Sequence, residues 1–290
     1  MKKWLLFLLA LLAATSVSAQ LDTTKWYAIS HNYGGGWCFN ASQANVSGGY
    51  LTETAAYGVD ICGVGDGNYV GPLIITTPFY FDYGRVVVRG KLAGYGVHTT
   101  IEMWGGGVTS TGYPPTCIAA MKAGGAPWAD CTTTSVPTYE VDFAEFQPAV
   151  NPTTSVQNSF NTWVSSTPSY RNQVTALGFD ASLSLNNWEE DVAPTGITYK
   201  ANGVQTWSYS ITLSGIYWLV GIDQEFDAAA PPLASSYYPQ VAQYQYVYVY
   251  CTSDTTYPAC TPGQLIFSDN FTAGTGSVLS QGVTSQGVIQ

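Results

Sequence analysis

The chain has 290 residues with nine basic and 19 acidic side chains, which give a formal net charge of −10 at neutral pH. A field of this sign disfavours nucleic acid, anionic membrane surfaces and highly sulfated polymers as partners. Only 10% of the residues are charged and 14% are aromatic, a composition that excludes disorder for most of the chain.

The first 19 residues have the pattern of a secretory signal peptide. Two lysines precede an apolar run over residues 4–14, and small residues precede Gln20. The apolar run is too short to span a bilayer, and no later stretch is long enough. We therefore expect a protein that is secreted to the extracellular space or the periplasm.

Short β-branched and aromatic runs, separated by many of the 30 Gly and 15 Pro, predict a chain rich in strands. No segment has the sustained periodicity of a helix, and Asn202-Gly203 predicts a β-hairpin. The pattern favours an all-β antiparallel sandwich or barrel over residues 20–272, with a flexible tail over 273–290. The predicted strands are 84–91, 97–104, 138–146, 174–184, 196–201, 205–213, 216–222 and 244–251.

The six cysteines suggest three disulfides in an exported chain. No CxxC motif is present and there are only two histidines, so a zinc site built from Cys and His is not expected. Proximity in the sequence favours the pairs Cys38–Cys62, Cys117–Cys131 and Cys251–Cys260.

A long segment rich in Gly, Pro and Thr covers residues 105–137. A loop of this length in a compact domain is usually functional. It contains Trp128, which we predict as a residue that stacks on a ligand.

The predicted strand 138–146 contains three acidic residues in six positions. Glu140 and Asp142 are two residues apart, so a strand places them on one face. Glu145 would lie on the opposite face of a regular strand, but a β-bulge near Phe143-Ala144 would return it to the face of Glu140. The spacing therefore predicts a bulge and a row of three carboxyl groups.

Like charges in such a row repel one another and raise one another's pKa. Hydrolysis of a glycosidic bond with retention uses this arrangement, with one carboxylate as the nucleophile and a second carboxyl as the acid. The alternative is an exposed acidic strand face, with or without bound calcium.

The segment Glu140-Val-Asp-Phe-Ala-Glu145 resembles the E-x-D-x-x-E signature of glycoside hydrolase family 16, in the bulged form of laminarinases and agarases. The resemblance implies a jelly-roll sandwich of the concanavalin A-like type, with a substrate cleft across its concave face. By motif, it assigns Glu140 as the nucleophile, Asp142 as its assistant and Glu145 as the general acid/base. Further segments that resemble the family are 21–26, 46–53, 81–92, 178–182, 194–203 and 244–250.

Departures from the family motifs affect the predicted substrate contacts. The segment 97–105 replaces W-P-A-F-W-L-L-G, and here Glu102 and Trp104 share one face by parity. If that face is the cleft, Trp104 stacks on a sugar and Glu102 hydrogen-bonds one; the alternative is that Trp104 belongs to the core. Asn161-Thr-Trp163 replaces the family's H-T-W, and we predict Asn161 and Trp163 as further substrate contacts.

The family's structural calcium site usually includes an aspartate in the last strand, and Gln245 stands at that position here. We therefore expect no metal and no other cofactor. We interpret the acidic run 189–191 as a solvated strand end. His31 and His98 are interpreted as hydrogen-bonding residues of loops or the cleft rather than ligands.

The segment 264–272 resembles the strand with which the family normally begins, although it lies near the C-terminus here. This order suggests a circular permutation in which the opening strand has moved to the end. The alternatives are a truncated second domain and coincidence.

These patterns together predict a secreted, monomeric, retaining endo-glycosidase acting on a neutral β-linked polysaccharide. A β-1,3- or β-1,3/1,4-glucan ranks first as the substrate. The alternatives are an agar-type galactan hydrolase, a transglycosylase and a non-catalytic glycan-binding module.

Overall fold

The computed structural model is a β-sandwich of antiparallel sheets, as the sequence predicts. In the part of the chain that the structure describes, no helix is long and apolar enough to cross a membrane. A single 3-10 turn, Ala41–Gln43, is the one helical element of that part. The described residues are 21–29, 31–34, 37–57, 69–71, 73–76, 79–94, 97–107, 138–146, 152–163, 168–225 and 239–272.

One sheet has seven strands, each paired antiparallel with its neighbours. In spatial order they are β1 (Trp26–Ile29), β7 (Leu73–Thr76), β16 (Ile216–Glu225), β9 (His98–Gly107), β10 (Thr138–Phe146), β11 (Ser155–Trp163) and β12 (Pro168–Ala176).

The second sheet has nine strands, and a two-stranded hairpin stands apart from both sheets. Its main path is β15 (Val204–Ser210), β14 (Gly196–Ala201), β13 (Asn186–Ala193), β8 (Gly84–Lys91), β17 (Gln240–Tyr250), β5 (Tyr50–Tyr57) and β4 (Ala44–Ser47). Off this path, β18 (Leu265–Asp269) pairs with β17 and β6 (Tyr69–Val70) pairs with β5, while the hairpin is β2 (His31–Gly34) and β3 (Trp37–Phe39).

The main hydrophobic core lies between the sheets and draws residues from both. Strands β13 and β14 alternate buried and half-buried residues along their whole length, as expected for strands with one face on a core. Strand β10 contributes Val141, Phe143, Ala144 and Phe146 to this core, which fixes the orientation of its polar residues.

The Asn202-Gly203 pair connects β14 to β15, which confirms the predicted hairpin. Both residues have positive φ, at 50° and 77°. Two consecutive positive φ values characterise the turn that best matches the twist of paired strands.

The predicted strand 174–184 is wrong, because β12 ends at Ala176 and the chain then turns. Gly178 has a φ of 74°, and the Asp180 carboxylate accepts hydrogen bonds from the backbone and the hydroxyl of Ser182. A short polar side chain that binds the backbone two residues on favours a turn over a strand.

The interpretation of residues 189–191 as a solvated strand end is also wrong. These residues lie inside β13, and the Glu190 side chain is fully buried in the space between the sheets. Glu189 and Asp191 on either side of it face outward and are half-buried.

Cys251 and Cys260 form a disulfide, which confirms that pair. The bond spans the connection from β17 to β18. The predicted partner of Cys38, and the whole of the predicted pair Cys117–Cys131, lie outside the described residues.

Strand β18 packs on the start of the described chain as well as on β17. The Trp26 indole N–H donates to Asp269 at 2.8 Å, and the Lys25 ammonium donates to the Ser268 carbonyl at 3.1 Å. The Trp26 ring also meets Phe267 edge to face at 5.5 Å. Residues 264–272 therefore contact both β17 and the segment that contains Lys25 and Trp26. The circular permutation stays a prediction.

Candidate active site

The predicted β-bulge is present in β10. Asp142 is paired with Glu102 of β9, the next pair on that side is Ala144 with Ile101, and Phe143 is the extra residue. The carbonyl of Phe143, which the bulge removes from the regular ladder, accepts a hydrogen bond of 2.8 Å from the buried Asn158 amide. A buried carbonyl without a partner would be costly, so this bond stabilises the bulge.

The bulge returns Glu145 to the face of Glu140 and Asp142. On β11 the residues opposite these three carboxyls are two apart along a regular strand, so they also share one face. This face is the one turned away from the main core. The three pairs are Glu140 with Asn161, Asp142 with Ser159 and Glu145 with Gln157.

Asn161 joins the first two carboxyl groups. Its amide nitrogen lies 3.1 Å from Glu140 Oε2 and 3.2 Å from Asp142 Oδ2. The Ser159 hydroxyl donates a second hydrogen bond to Asp142 Oδ2. These two residues of β11 therefore hold both carboxyls of β10 in a fixed relative position.

Burial and neighbouring charges both perturb the carboxyl group of Asp142. Burial raises the pKa of its carboxyl well above the ordinary value, and the charges of Glu140 and Glu145 raise it further. The hydrogen bond from Ser159 and the charge of His98 act in the opposite direction. A protonated Asp142 reduces the repulsion between the carboxyl groups that flank it.

Two side chains from neighbouring strands hold the carboxyl group of Glu145. His98 Nε2 lies 3.0 Å from Glu145 Oε1, and the Gln157 amide donates to Oε2 at 2.5 Å. The His98 and Glu145 side chains are 8% and 7% exposed.

A fourth carboxyl group, that of Glu102, extends the acidic row onto β9. One carboxylate oxygen each of Glu102, Glu140 and Asp142 lies within 4.8 Å of the other two. The Trp104 indole donates to Glu102 Oε1 at 2.6 Å. On the next strand, Gly221 makes room for this carboxyl, because a Cβ there would come within 2.8 Å of Glu102 Oε1.

Glu190 lies behind the row, in the other sheet. Both of its carboxyl oxygens are buried and lack a hydrogen-bond partner. Burial raises the pKa of Glu190 well above its ordinary value, and the charge of Asp142 contributes in the same direction. Tyr199, its register partner on β14, donates a hydrogen bond of 2.7 Å to the Ser159 carbonyl.

The structure brings most of the predicted site residues together. Glu102, Trp104 and Asn161 lie beside the carboxyl row of β10, and Trp104 belongs to neither hydrophobic cluster. Trp128 lies outside the described residues, as does the side chain of Trp163. The absence of a metal site remains a prediction. Gln245, on which that prediction is based, lies on the other sheet and accepts a hydrogen bond from Arg89 Nε at 2.9 Å.

Sequence reasoning missed several residues that contact the carboxyl row. Ser159 and Gln157 alternate with Asn161 along β11, and this polar alternation was a usable signal. His98 forms a hydrogen bond, as the sequence analysis expects, but its partner Glu145 depends on the bulge and on the register of β9 with β10. No sequence pattern reports that register.

No protein-family model matches the chain, and no curated protein matches it. Solved structures do. The κ-carrageenase of Pseudoalteromonas carrageenovora, in complex with an oligotetrasaccharide of κ-carrageenan, is 18% identical with a TM-score of 0.57; the match covers 79% of this chain and 90% of that chain.

Two further similar structures are of a protein bound to laminari-oligosaccharides and of an endo-glucanase. A LamA variant of Zobellia galactanivorans, in complex with laminaritriose and laminaritetraose, is 15% identical with a TM-score of 0.62, and the match covers 81% of this chain and 95% of that chain. A family 16 endo-glucanase of Bacteroides ovatus is 12% identical with a TM-score of 0.58, covering 79% of this chain and 96% of that chain. At these identities the likeness establishes the fold, which is that of family 16 glycoside hydrolases.

Proposed function

We propose that this protein is a retaining glycoside hydrolase that cleaves internal bonds of a neutral β-linked polysaccharide. The observation that carries the proposal is the bulged strand β10, which places Glu140, Asp142 and Glu145 on one face. A module that only binds glycan does not need three carboxyl groups in a row, because their mutual repulsion costs stability. The fold shared with glucan- and galactan-degrading enzymes supports the same conclusion.

In the first half of the reaction, Glu140 attacks the anomeric carbon as a carboxylate. The bond from that carbon to the glycosidic oxygen breaks, and Glu145 donates a proton to the departing oxygen. The product of this step is a covalent glycosyl–enzyme ester on Glu140.

In the second half, Glu145 accepts a proton from a water molecule that attacks the anomeric carbon. The ester bond breaks and Glu140 returns to its carboxylate form. If a sugar hydroxyl replaces the water, the same intermediate gives transglycosylation. General acid–base help of this kind is typically worth about 10²–10⁴-fold in rate.

Asn161 positions the nucleophile Glu140, and Asp142 adjusts the charge beside it. The Asn161 amide donates to both carboxyls, so it fixes the position of the Glu140 oxygen that it binds. A neutral Asp142 beside Glu140 limits the negative charge that accumulates before attack. We propose that Trp104 and Glu102, which lie beside the row on β9, contact sugar rings.

A neutral substrate follows from the charge of this face. The carboxyl groups of Glu102, Glu140, Asp142 and Glu145 lie side by side on it, and the charge that they carry, together with the net charge of −10, repels a sulfated or carboxylated chain. β-1,3- and β-1,3/1,4-glucans are the first candidates, and neutral agar-type galactans are the second. We propose that the protein is secreted, since a polymeric substrate must be met outside the cell. We also propose that it acts as a monomer.

The proposal is tested on a panel of laminarin, lichenan, agarose and κ-carrageenan, with the sizes of the products determined. We expect cleavage of a neutral polymer into oligosaccharides, and loss of cleavage by at least about 10³-fold in Glu140→Ser. Glu189→Ser, on the outward face of β13, is the matched control and should retain full activity. Unchanged cleavage in Glu140→Ser would contradict the mechanism, and binding without cleavage by the wild type would favour a glycan-binding module.

A further inference from the structure

The proposed mechanism does not explain why a histidine, His98, contacts the proposed acid/base residue Glu145. His98 is the first residue of β9, and its Nε2 atom lies 3.0 Å from Glu145 Oε1. Both side chains are more than nine-tenths buried. At this distance the two atoms share one hydrogen between them, whichever of them carries it.

The two partners of Glu145 differ in what they can do with a proton. The Gln157 amide at Oε2 can only donate, so it orients the carboxyl group without changing its proton content. An imidazole nitrogen can either donate or accept. The proton between His98 and Glu145 is therefore able to lie on either atom without movement of either side chain.

We propose that His98 and Glu145 work as one acid/base pair that holds a single transferable proton, with His98 as the positioning residue. The inference rests on the proposed function, because it assigns the source of the proton for the same reaction. In the resting pair the proton lies between Nε2 and Oε1. As the glycosidic bond breaks, it passes from Glu145 to the departing oxygen, which keeps the electron pair of the broken bond.

Loss of that proton leaves the lone pair of Nε2 against a carboxylate oxygen. This contact is repulsive, so the pair readily takes a proton back. The donor is the attacking water, whose oxygen forms the new bond to the anomeric carbon while the ester bond to Glu140 breaks. The cycle returns one proton to the pair and consumes one water molecule.

Other acidic groups lie near the pair, and their ionisation also affects the pH dependence of the rate. On β10, Asp142 interacts electrostatically with His98. On β16, Asp223 is paired with Thr100, which lies two residues from His98 along β9. When Asp142 or Asp223 is ionised, its negative charge favours retention of the proton by the pair.

The kinetic test uses His98→Gln, which keeps a side-chain donor at this position but cannot take up a proton. We expect the alkaline limb of the kcat/KM profile to move to lower pH by one unit or more. At pH 7 the rate on polysaccharide should fall by about 10–100-fold. An aryl glycoside with a dinitrophenolate leaving group needs no proton, so its cleavage step should fall much less.

A second test does not depend on activity. The chain has only two histidines, so His31→Gln leaves His98 as the sole imidazole for nitrogen NMR. In this background Glu145→Gln should lower the titration midpoint of His98 by at least half a pH unit, whereas Glu189→Gln should leave it unchanged.

The outcomes separate this inference from the proposed function. If the wild type cleaves polysaccharide and His98→Gln keeps its pH profile, or if Glu145→Gln leaves the titration of His98 unchanged, the inference is overturned and the hydrolase stands. If the wild type cleaves no glycan, the proposed function fails and the role of His98 fails with it.

Discussion

Asn161 binds Glu140 through its side-chain amide, whose nitrogen lies 3.1 Å from the carboxylate Oε2. The same nitrogen lies 3.2 Å from Asp142 Oδ2, so one donor positions two groups. Hydrogen bonds to charged groups typically contribute about 1.5–3 kcal/mol.

We therefore expect Asn161→Ala to lower kcat on polysaccharide by about 10–100-fold, with a smaller change in KM. Asn187→Ala is the matched control, because Asn187 lies on the other sheet, where it accepts a hydrogen bond from Arg89. Steady-state kinetics of both variants decide the point, and equal rates for the two would contradict the role of Asn161.

Two fully buried carboxyls, Glu190 and Glu53, predict how stability depends on pH. Burial raises the pKa of each well above its ordinary value, and neither has a hydrogen-bond partner for its carboxyl oxygens. Both groups therefore stay protonated in the folded protein over a range where the unfolded chain ionises them. Their contribution to stability is complete below about pH 4 and is lost as the pH rises towards the folded-state pKa values.

Glu190→Gln removes one of these ionisations while it keeps the shape of the side chain. We expect the wild type to lose up to about 1.4 kcal/mol per pH unit for each such group above the ordinary glutamate pKa, and Glu190→Gln to show a shallower loss. Urea unfolding between pH 4.5 and 8 measures the slope. A variant that follows the wild-type slope throughout would show that Glu190 ionises as freely in the folded chain as in the unfolded one.

Gly221 is predicted to be intolerant of alanine because of Glu102. A Cβ at this position would lie 2.8 Å from Glu102 Oε1 and 3.0 Å from its Cγ. Gly221→Ala should lower activity, because it displaces a carboxyl of the row, and should cost about 1–3 kcal/mol of stability. The double variant Gly221→Ala/Glu102→Ala should recover most of that stability. Additive losses in the double variant would show that the contact is not responsible.

The contacts of β18 predict that the chain tolerates a changed strand order. Asp269 binds Trp26, and a short linker from Thr272 to Leu21 would restore the order typical of the family. A permuted chain that begins at Gln264 and ends at Gly263 keeps both Cys251 and Cys260. We expect the same circular dichroism spectrum and the same activity as the parent.

The control for this experiment is a chain that ends at Gly263 and lacks β18. It should fold poorly, since Phe267 and its neighbours no longer cover Trp26. A permuted chain as unstable as this truncated control would contradict the assignment of residues 264–272 to the opening strand.

The bulge in β10 was predictable because the spacing of its acidic and apolar residues is inconsistent with a regular strand. The hairpin at Asn202 was predictable because few residue pairs adopt two consecutive positive φ values. The burial of Glu190 was not predictable, because a run of acidic residues normally indicates a solvent-exposed surface. Glu190 is buried only because the other sheet packs over it. The pairing of His98 with Glu145 depends on strand register, which the sequence of one strand does not contain.

The central claim is that Glu140 forms a covalent bond with the substrate. The most direct measurement is mass spectrometry of the intact protein after reaction with an activated 2-deoxy-2-fluoro β-glycoside of the preferred sugar, followed by peptide mapping. The account predicts a mass increase of one fluoroglycosyl group, located on the peptide that contains Glu140 and absent in Glu140→Ser. A label on another carboxyl group, such as Glu102, or turnover of polysaccharide without any labelling at all, would contradict it.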